Sequence, residues 1–233
     1  MSIKDNIDNI IQRVVASAEK AGRNPQDITV IAVSKTVDAA RAREAVEGGL
    51  INLGENKVQE MVSKYEQLPN MGIRWHMIGH LQKNKVKYII DKAELIHSVE
   101  SVDLANEINK RAIQHGLIAK ILIELNIAKE ESKFGINDEN VYEFIKSLEQ
   151  FENLKVMGLM TVAPNSDNPE EIRWVFKKMK EIFDNISAMK ISNTDMKYLS
   201  MGMTNDFEIA IEEGSNIVRI GTAIFGARNY NTI

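Results

Sequence analysis

The chain has 233 residues, with 29 Lys and Arg against 33 Asp and Glu, a formal net charge of -4, and no cysteine. The missing thiols exclude a disulfide framework and a thiolate metal site, and the slight acidic excess argues against a nucleic-acid surface. No stretch approaches the roughly eighteen uninterrupted apolar residues of a membrane span, and no low-complexity segment or linker divides the sequence, so one domain over residues 1–233, cytoplasmic and monomeric, is expected.

Along the chain, Ile3, Ile7, Ile10, Ile11, Val14, Val15 and Ala18 recur at spacings of three and four. They predict an amphipathic helix within residues 1–24, ending near Gly22 and packed on the barrel. Lys4, Asp5, Asp8 and Arg13 interrupt any signal-peptide core.

The next apolar run, 28–35, ends in Lys35. In a strand, Thr29, Ile31, Val33 and Lys35 share one face and Ile28, Val30, Ala32 and Ser34 the other. Both faces are mostly apolar, as in a parallel sheet covered on both sides. That places an ammonium group where dry protein meets the top of the sheet. Partial desolvation there lowers a lysine pKa and frees the amine to attack a carbonyl, although a strand-end lysine reaching water has the same pattern.

Seven further short apolar runs occur at 51–54, 73–79, 95–99, 120–127, 155–162, 197–203 and 216–221, separated by helical patterns at 38–47, 57–67, 81–92, 102–115, 138–150, 169–187 and 205–213. Asp38 can cap the first of these helices, Asn56 with Gln59 has capping-box spacing, and Thr222 can cap a last one. Lys83, Lys85 and Lys87 read as a solvated helix face. Strict alternation implies a parallel sheet. Eight units in this length fit a closed (β/α)8 barrel of roughly 250 residues, with an open doubly wound sheet as the alternative.

In a barrel the eighth strand pairs with the first, which makes Arg219 a neighbour of Lys35. A charge between Val218 and Ile220 must face the barrel interior or sit expensively under a helix, and the inward position is cheaper if an acceptor waits there. An arginine paired structurally with a glutamate is the other reading. Just beyond, Gly221-Thr222-Ala223 offers close backbone approach and amides at a helix start, the recipe for holding a phosphate. The run Ser200-Met201-Gly202-Met203-Thr204 ends strand seven with a hydroxyl, a glycine and another helix start. Barrels of this kind frequently hold phosphates in the loops after strands seven and eight. A reactive lysine, an arginine and a phosphate cup describe a site for a phosphorylated aldehyde, and pyridoxal 5'-phosphate is such an aldehyde.

The strings Ala32-Val33-Ser34-Lys35, Gly54-Glu55-Asn56-Lys57-Val58-Gln59-Glu60, Trp75-His76-Met77-Ile78-Gly79-His80-Leu81-Gln82-Lys83-Asn84-Lys85, His97-Ser98-Val99, Glu131-Ser132-Lys133-Phe134-Gly135, Gly158-Leu159-Met160-Thr161, Leu199-Ser200-Met201-Gly202-Met203-Thr204 and Val218-Arg219-Ile220-Gly221-Thr222-Ala223-Ile224-Phe225-Gly226 span nearly the whole chain. On these strings the sequence resembles the pyridoxal phosphate homeostasis protein family, which implies the barrel of the alanine racemase N-terminal domain. The resemblance implies that Lys35 forms the internal aldimine, Arg219 faces the pyridine nitrogen, and Ser200, Gly221 and Thr222 hold the phosphate. It places Asn56, His76 and Met201 around the ring, although His76 also reads as a packed strand histidine and Asn56 as a helix cap. Lys133 reads as a solvated loop lysine or a second amine near the cofactor.

An arginine beside the pyridine nitrogen favours the unprotonated ring and weakens the electron sink that carbanion chemistry needs. The sequence also departs from the racemase pattern after the lysine, where Thr36-Val37-Asp38 stands, and a second domain to supply a racemase tyrosine is not expected. The expected role is therefore non-enzymatic: holding pyridoxal phosphate, buffering its free level, delivering it to apo-enzymes, and acting indirectly on amino-acid and keto-acid metabolism. A racemase of low or broad specificity and a Schiff-base aldolase acting on phosphosugars are the alternatives.

Overall fold

The computed structural model describes residues 2–130 and 132–226. Glu131 of the 131–135 string lies outside them, as do Met1 and residues 227–233 of the expected domain. The elements run α1 (Ile3–Lys20), β1 (Thr29–Val33), α2 (Ala39–Glu47), β2 (Asn52–Glu55), α3 (Val58–Gln67), β3 (Arg74–Met77), β4 (Ala93–Val99), α4 (Val102–His115), β5 (Ala119–Leu125), α5 (Val141–Ser147), β6 (Leu154–Thr161), α6 (Arg173–Ala188), β7 (Thr194–Ser200), α7 (Phe207–Glu212), β8 (Ile217–Ile220) and α8 (Thr222–Phe225). Each strand pairs in parallel with the next, and β8 closes on β1, with Thr29 opposite Ile217 and Ile31 opposite Arg219. The fold is thus the closed eight-stranded barrel rather than an open sheet.

The two-faced strands sort into two cores. Ile31, Leu95, Leu122, Met157, Met160 and Ile217 fill the barrel interior. Val30, Ala32, Leu53, Val218 and Ile220 belong to the larger layer between strands and helices. Helix α1 buries the Ile3, Ile7, Ile10, Val14 and Ala18 stripe and is capped by a reciprocal Ser2 and Asp5 box. It packs on α2, α7 and α8, with Arg13 lying 4.7 Å over the Phe207 ring. No helix among the described residues is long and apolar enough to cross a membrane.

Local departures have local causes. The helix expected over 81–92 is a 3-10 turn, Lys83–Tyr88; the buried Val86, Ile89 and Ile90 keep helical spacing, but Leu81 stands five residues before Val86 and Lys83 and Lys87 would repel at i,i+4. Asp38 caps α2 through Arg41 N–H, but Asn56 caps nothing: α3 starts after Lys57 with no side-chain cap. A Cβ on Gly79 would lie 2.5 Å from Asn56 O, so the Asn56 backbone is pressed against the β3 end and kept out of the helix. Thr222 is the first residue of α8 rather than its cap.

Gly158 sits where β6 shifts register against both neighbours. Its φ is +148, and a Cβ there would lie 1.8 Å from Tyr198 O. Gly158→Ala is expected to cost about 3 kcal/mol of unfolding free energy, because the strands must part at a left-handed position. The denaturant midpoint measures this, and a loss under about 1 kcal/mol would mean that β6 and β7 yield easily.

Candidate functional site

Strand β1 stops at Val33, and the Ser34 N–H reaches Gly54 O at 3.0 Å. The Val37 N–H then returns to Ser34 O at 3.0 Å, folding residues 34–37 into a turn before α2. Lys35 keeps the inward phase of Ile31 and is half-buried at the C-terminal mouth of the barrel. There it lines a cavity of about 490 Å³.

The loops after the last two strands supply the opposite walls. Gly202 has φ +94, and a Cβ on it would lie 2.7 Å from Ala210 Cβ, so only glycine lets the chain turn this tightly from β7 onto α7. That turn brings Met203, Thr204 and Asp206 to the cavity. The Asp206 carboxylate accepts the Met203 N–H. Burial pushes the Asp206 carboxyl up, opposed by that N–H and by Arg219. Gly221 and Thr222 line the cavity from the start of α8, where the Ile224 and Phe225 N–H groups turn back to Gly221 O. Asn56 lines it from just after β2, and its Oδ1 is buried without a hydrogen-bond partner.

Arg219 is 4% exposed and also lines the cavity. Its Nη1 donates to Ser200 Oγ at 2.7 Å and its Nη2 to Thr161 O at 2.8 Å. Burial pulls its pKa down to about 10, while Asp206 and Glu124 hold it up, so it stays charged at neutral pH. Ser200 contacts His97 Nδ1 at 3.0 Å, His97 Nε2 contacts His76 Nδ1 at 3.1 Å, and His76 Nε2 contacts Asn52 Oδ1 at 3.1 Å. Since a guanidinium only donates, Ser200 accepts from Arg219 and gives its own proton to His97 Nδ1. His97 then donates through Nε2, and His76 donates to Asn52. Burial keeps both rings neutral, lowering His76 to about 4 and His97 well below the ordinary histidine range. The chain of donors runs one way, from Arg219 through Ser200, His97 and His76 to Asn52, and so holds one arm of the Arg219 fork.

Of the residues expected at the site, Lys35, Asn56, Arg219, Gly221 and Thr222 share the cavity, and Ser200, His76 and Met201 do not line it. The Ser200 hydroxyl is fully buried and spent on Arg219 and His97; the hydroxyl that the β7 loop presents is that of Thr204. His76 is the packed strand histidine of the polar chain, 4% exposed. Met201 packs in the outer core. Lys133 does line the cavity, donating to Glu130 Oε1 at 2.5 Å and to Ala163 O at 3.0 Å.

Sequence reasoning missed Glu124. It keeps the inward phase of Leu122 on β5, and burial raises it to about 7, with Glu100 adding and Arg219 opposing. Its signal was the one that exposed Arg219, a charge set within the apolar run Ile121-Leu122-Ile123-Glu124-Leu125.

A family model described as alanine racemase, N-terminal domain, matches residues 5–229. The chain is 43% identical over 230 residues to a pyridoxal phosphate homeostasis protein of Aquifex aeolicus, covering 99% of this chain and 100% of that one. It is 35% identical over 233 residues to the protein so named in Escherichia coli K12, covering 98% of each. An unknown protein from Bifidobacterium adolescentis matches with a TM-score of 0.91 at 34% identity, over 95% of this chain and 94% of that chain. PipY of Synechococcus elongatus, a structure with PLP bound, matches with a TM-score of 0.81 at 29% identity, over 93% and 100%. An alanine racemase of Clostridium difficile shares the fold at 15% identity, with a TM-score of 0.69 over 95% of this chain and 57% of that chain. A closed barrel carrying Lys35 and Arg219 at one mouth and full-length relatives of one description together mean that the chain belongs to the pyridoxal phosphate homeostasis protein family, built on the alanine racemase N-terminal fold.

Proposed function

We infer that this chain holds pyridoxal 5'-phosphate in the cavity above β1, β7 and β8 and handles that cofactor without turning it over. The observation that carries the reading is the convergence on one cavity of Lys35, Arg219 and the turn at Gly221 and Thr222. The cavity, about 490 Å³, lies within the roughly 300–1,000 Å³ of small-molecule sites.

The donor set suits the cofactor group by group. The backbone at Gly221 and Thr222 and the hydroxyls of Thr204 and Thr222 suit a phosphate. The buried, unpartnered Asn56 Oδ1 offers a polar contact along the wall. Arg219, locked by Ser200 and Thr161, presents a fixed charge to a ring nitrogen. Lys35, on the same wall, is the amine that would hold the aldehyde end. When bound, the cofactor supplies that aldehyde and an electron-withdrawing ring.

Handling is favoured over turnover by what the side chains can do with protons. Arg219 only donates and remains charged, so it keeps a facing ring nitrogen unprotonated and weakens the sink. Lys133 is engaged by Glu130 and the Ala163 carbonyl, which leaves it poorly placed to take a substrate proton. The resulting role is retention of a reactive aldehyde and its release to apo-enzymes, with indirect effects on amino-acid and keto-acid metabolism. The test is to add pyridoxal phosphate, record the visible spectrum, reduce with borohydride and map the modified peptide. A yellow adduct trapped on Lys35, with no solvent deuterium entering added amino acids, supports the reading. Absence of an adduct overturns it, and deuterium incorporation converts it to a racemase.

A further inference from the structure

Behind the Lys35 turn, on the side of β2 that faces α3, sits a compact acid–base cluster outside the cavity lining. Lys64 of α3 is only 5% exposed. Its Nζ donates to Glu55 Oε1 at 2.6 Å and to Ser34 O at 2.5 Å. Ser34 Oγ donates to the same Glu55 oxygen at 2.6 Å. Glu55 is fully buried, and its Oε2 has no hydrogen-bond partner. One turn earlier on α3, Glu60 lies 3.8 Å from Lys64 Nζ and accepts the Thr36 N–H at 2.7 Å.

These contacts act on the two peptide planes that flank the Lys35 Cα. The Ser34 carbonyl belongs to the plane before it and is held by a cation; the Thr36 N–H belongs to the plane after it and is held by an anion. Peptide planes are rigid, so fixing both fixes φ and ψ of Lys35 and the direction in which its side chain leaves. Thr36 itself has φ +63, a left-handed conformation that a β-branched residue keeps only when its surroundings impose it. Stability alone does not account for the cluster, because a buried ion pair is commonly no better than apolar residues of the same volume. Charge is needed here to reach backbone groups that an apolar pair would leave unbound.

We propose that Glu55, Glu60 and Lys64 form a clamp that presents Lys35 to its carbonyl partner, and are positioning residues for cofactor capture. The proposal rests on the reading that Lys35 is the bonding amine. It assigns a task to the Gly54-Glu55-Asn56-Lys57-Val58-Gln59-Glu60 string beyond lining the cavity, since its two glutamates work from the far side of the strand.

The test measures the rate of adduct formation after mixing with excess pyridoxal phosphate, the residue trapped by borohydride, and the thermal midpoint. Glu60→Ala removes the acceptor of the Thr36 N–H from a partly exposed position on α3, so its midpoint should stay near wild type while Lys35 reacts about tenfold more slowly, within the roughly hundredfold that a misplaced group can cost. Glu60→Gln keeps an acceptor oxygen and should recover most of the rate, which a merely structural role does not predict. The double variant Glu55→Gln/Lys64→Met removes the buried charges together and should fold yet react as slowly as Glu60→Ala. Wild-type rates in both Glu60→Ala and the double variant, with the adduct still on Lys35, overturn the clamp and leave the cofactor reading intact. Wild-type protein that gives no adduct on Lys35 overturns both.

Discussion

Lys35→Ala is expected to bind pyridoxal phosphate about a hundredfold more weakly, a loss of about 3 kcal/mol, and to yield no borohydride-stable adduct. The loss is large because the carbon–nitrogen bond is replaced by water in the same wall. It is incomplete because Gly221, Thr222, Thr204 and Arg219 still line the cavity and suit an anion. Thermal stability should change little, since Lys35 is half-buried at the barrel mouth and its truncation opens no core void. Equilibrium dialysis gives the affinity, and mass mapping after reduction gives the adduct. A wild-type level of trapped cofactor in the variant would move the bonding amine elsewhere, with Lys133 the amine on the same cavity to examine first.

How far such a site can be read from sequence depends on whether its signal is local. That Lys35 and Arg219 line one cavity was legible because Arg219 is a charge within an apolar strand, Lys35 follows directly on another, and a closed barrel must set β8 beside β1. Ser200 and Met201 stand outside the cavity lining because β7 ends at Ser200, before the turn that the positive φ of Gly202 permits. A strand read three residues too far moves every side chain after it. Asn56 looked like a cap because capping-box spacing is a two-residue signal, whereas its true constraint, the approach of Gly79 from β3, is a contact between strands. Lys64 was hidden for the opposite reason. It takes a core-facing position on α3 with Val58 and Met61, and only the fold shows that Glu55 waits beneath it.

Glu124→Gln should change the pH dependence of stability more than any other single charge removal at the barrel mouth. Glu124 is 9% exposed, and burial raises its carboxyl to about 7 in the folded protein, above the 4.5 of an unfolded glutamate. Between those values the folded state holds a proton that the unfolded state has released, so wild-type stability falls as pH rises through this window. The fall attributable to Glu124 is about 3 kcal/mol at most. Gln mimics the protonated acid at every pH, so the variant should match wild type near pH 4 and exceed it by up to that amount near pH 8. The histidines act in the opposite sense: His76, lowered to about 4, and His97, lower still, lose stability as pH falls below the ordinary histidine range. Both remain in the variant, as does the raised Asp206, so the difference between the two proteins isolates Glu124. Urea titrations at pH 4, 6 and 8 measure it, and a difference that does not grow with pH would show that Glu124 ionises as an ordinary surface acid. A positive result has a consequence at the cavity. Near neutrality an ionised Glu124 offsets part of the Arg219 charge, and the variant should present that guanidinium at fuller strength to whatever the cavity holds.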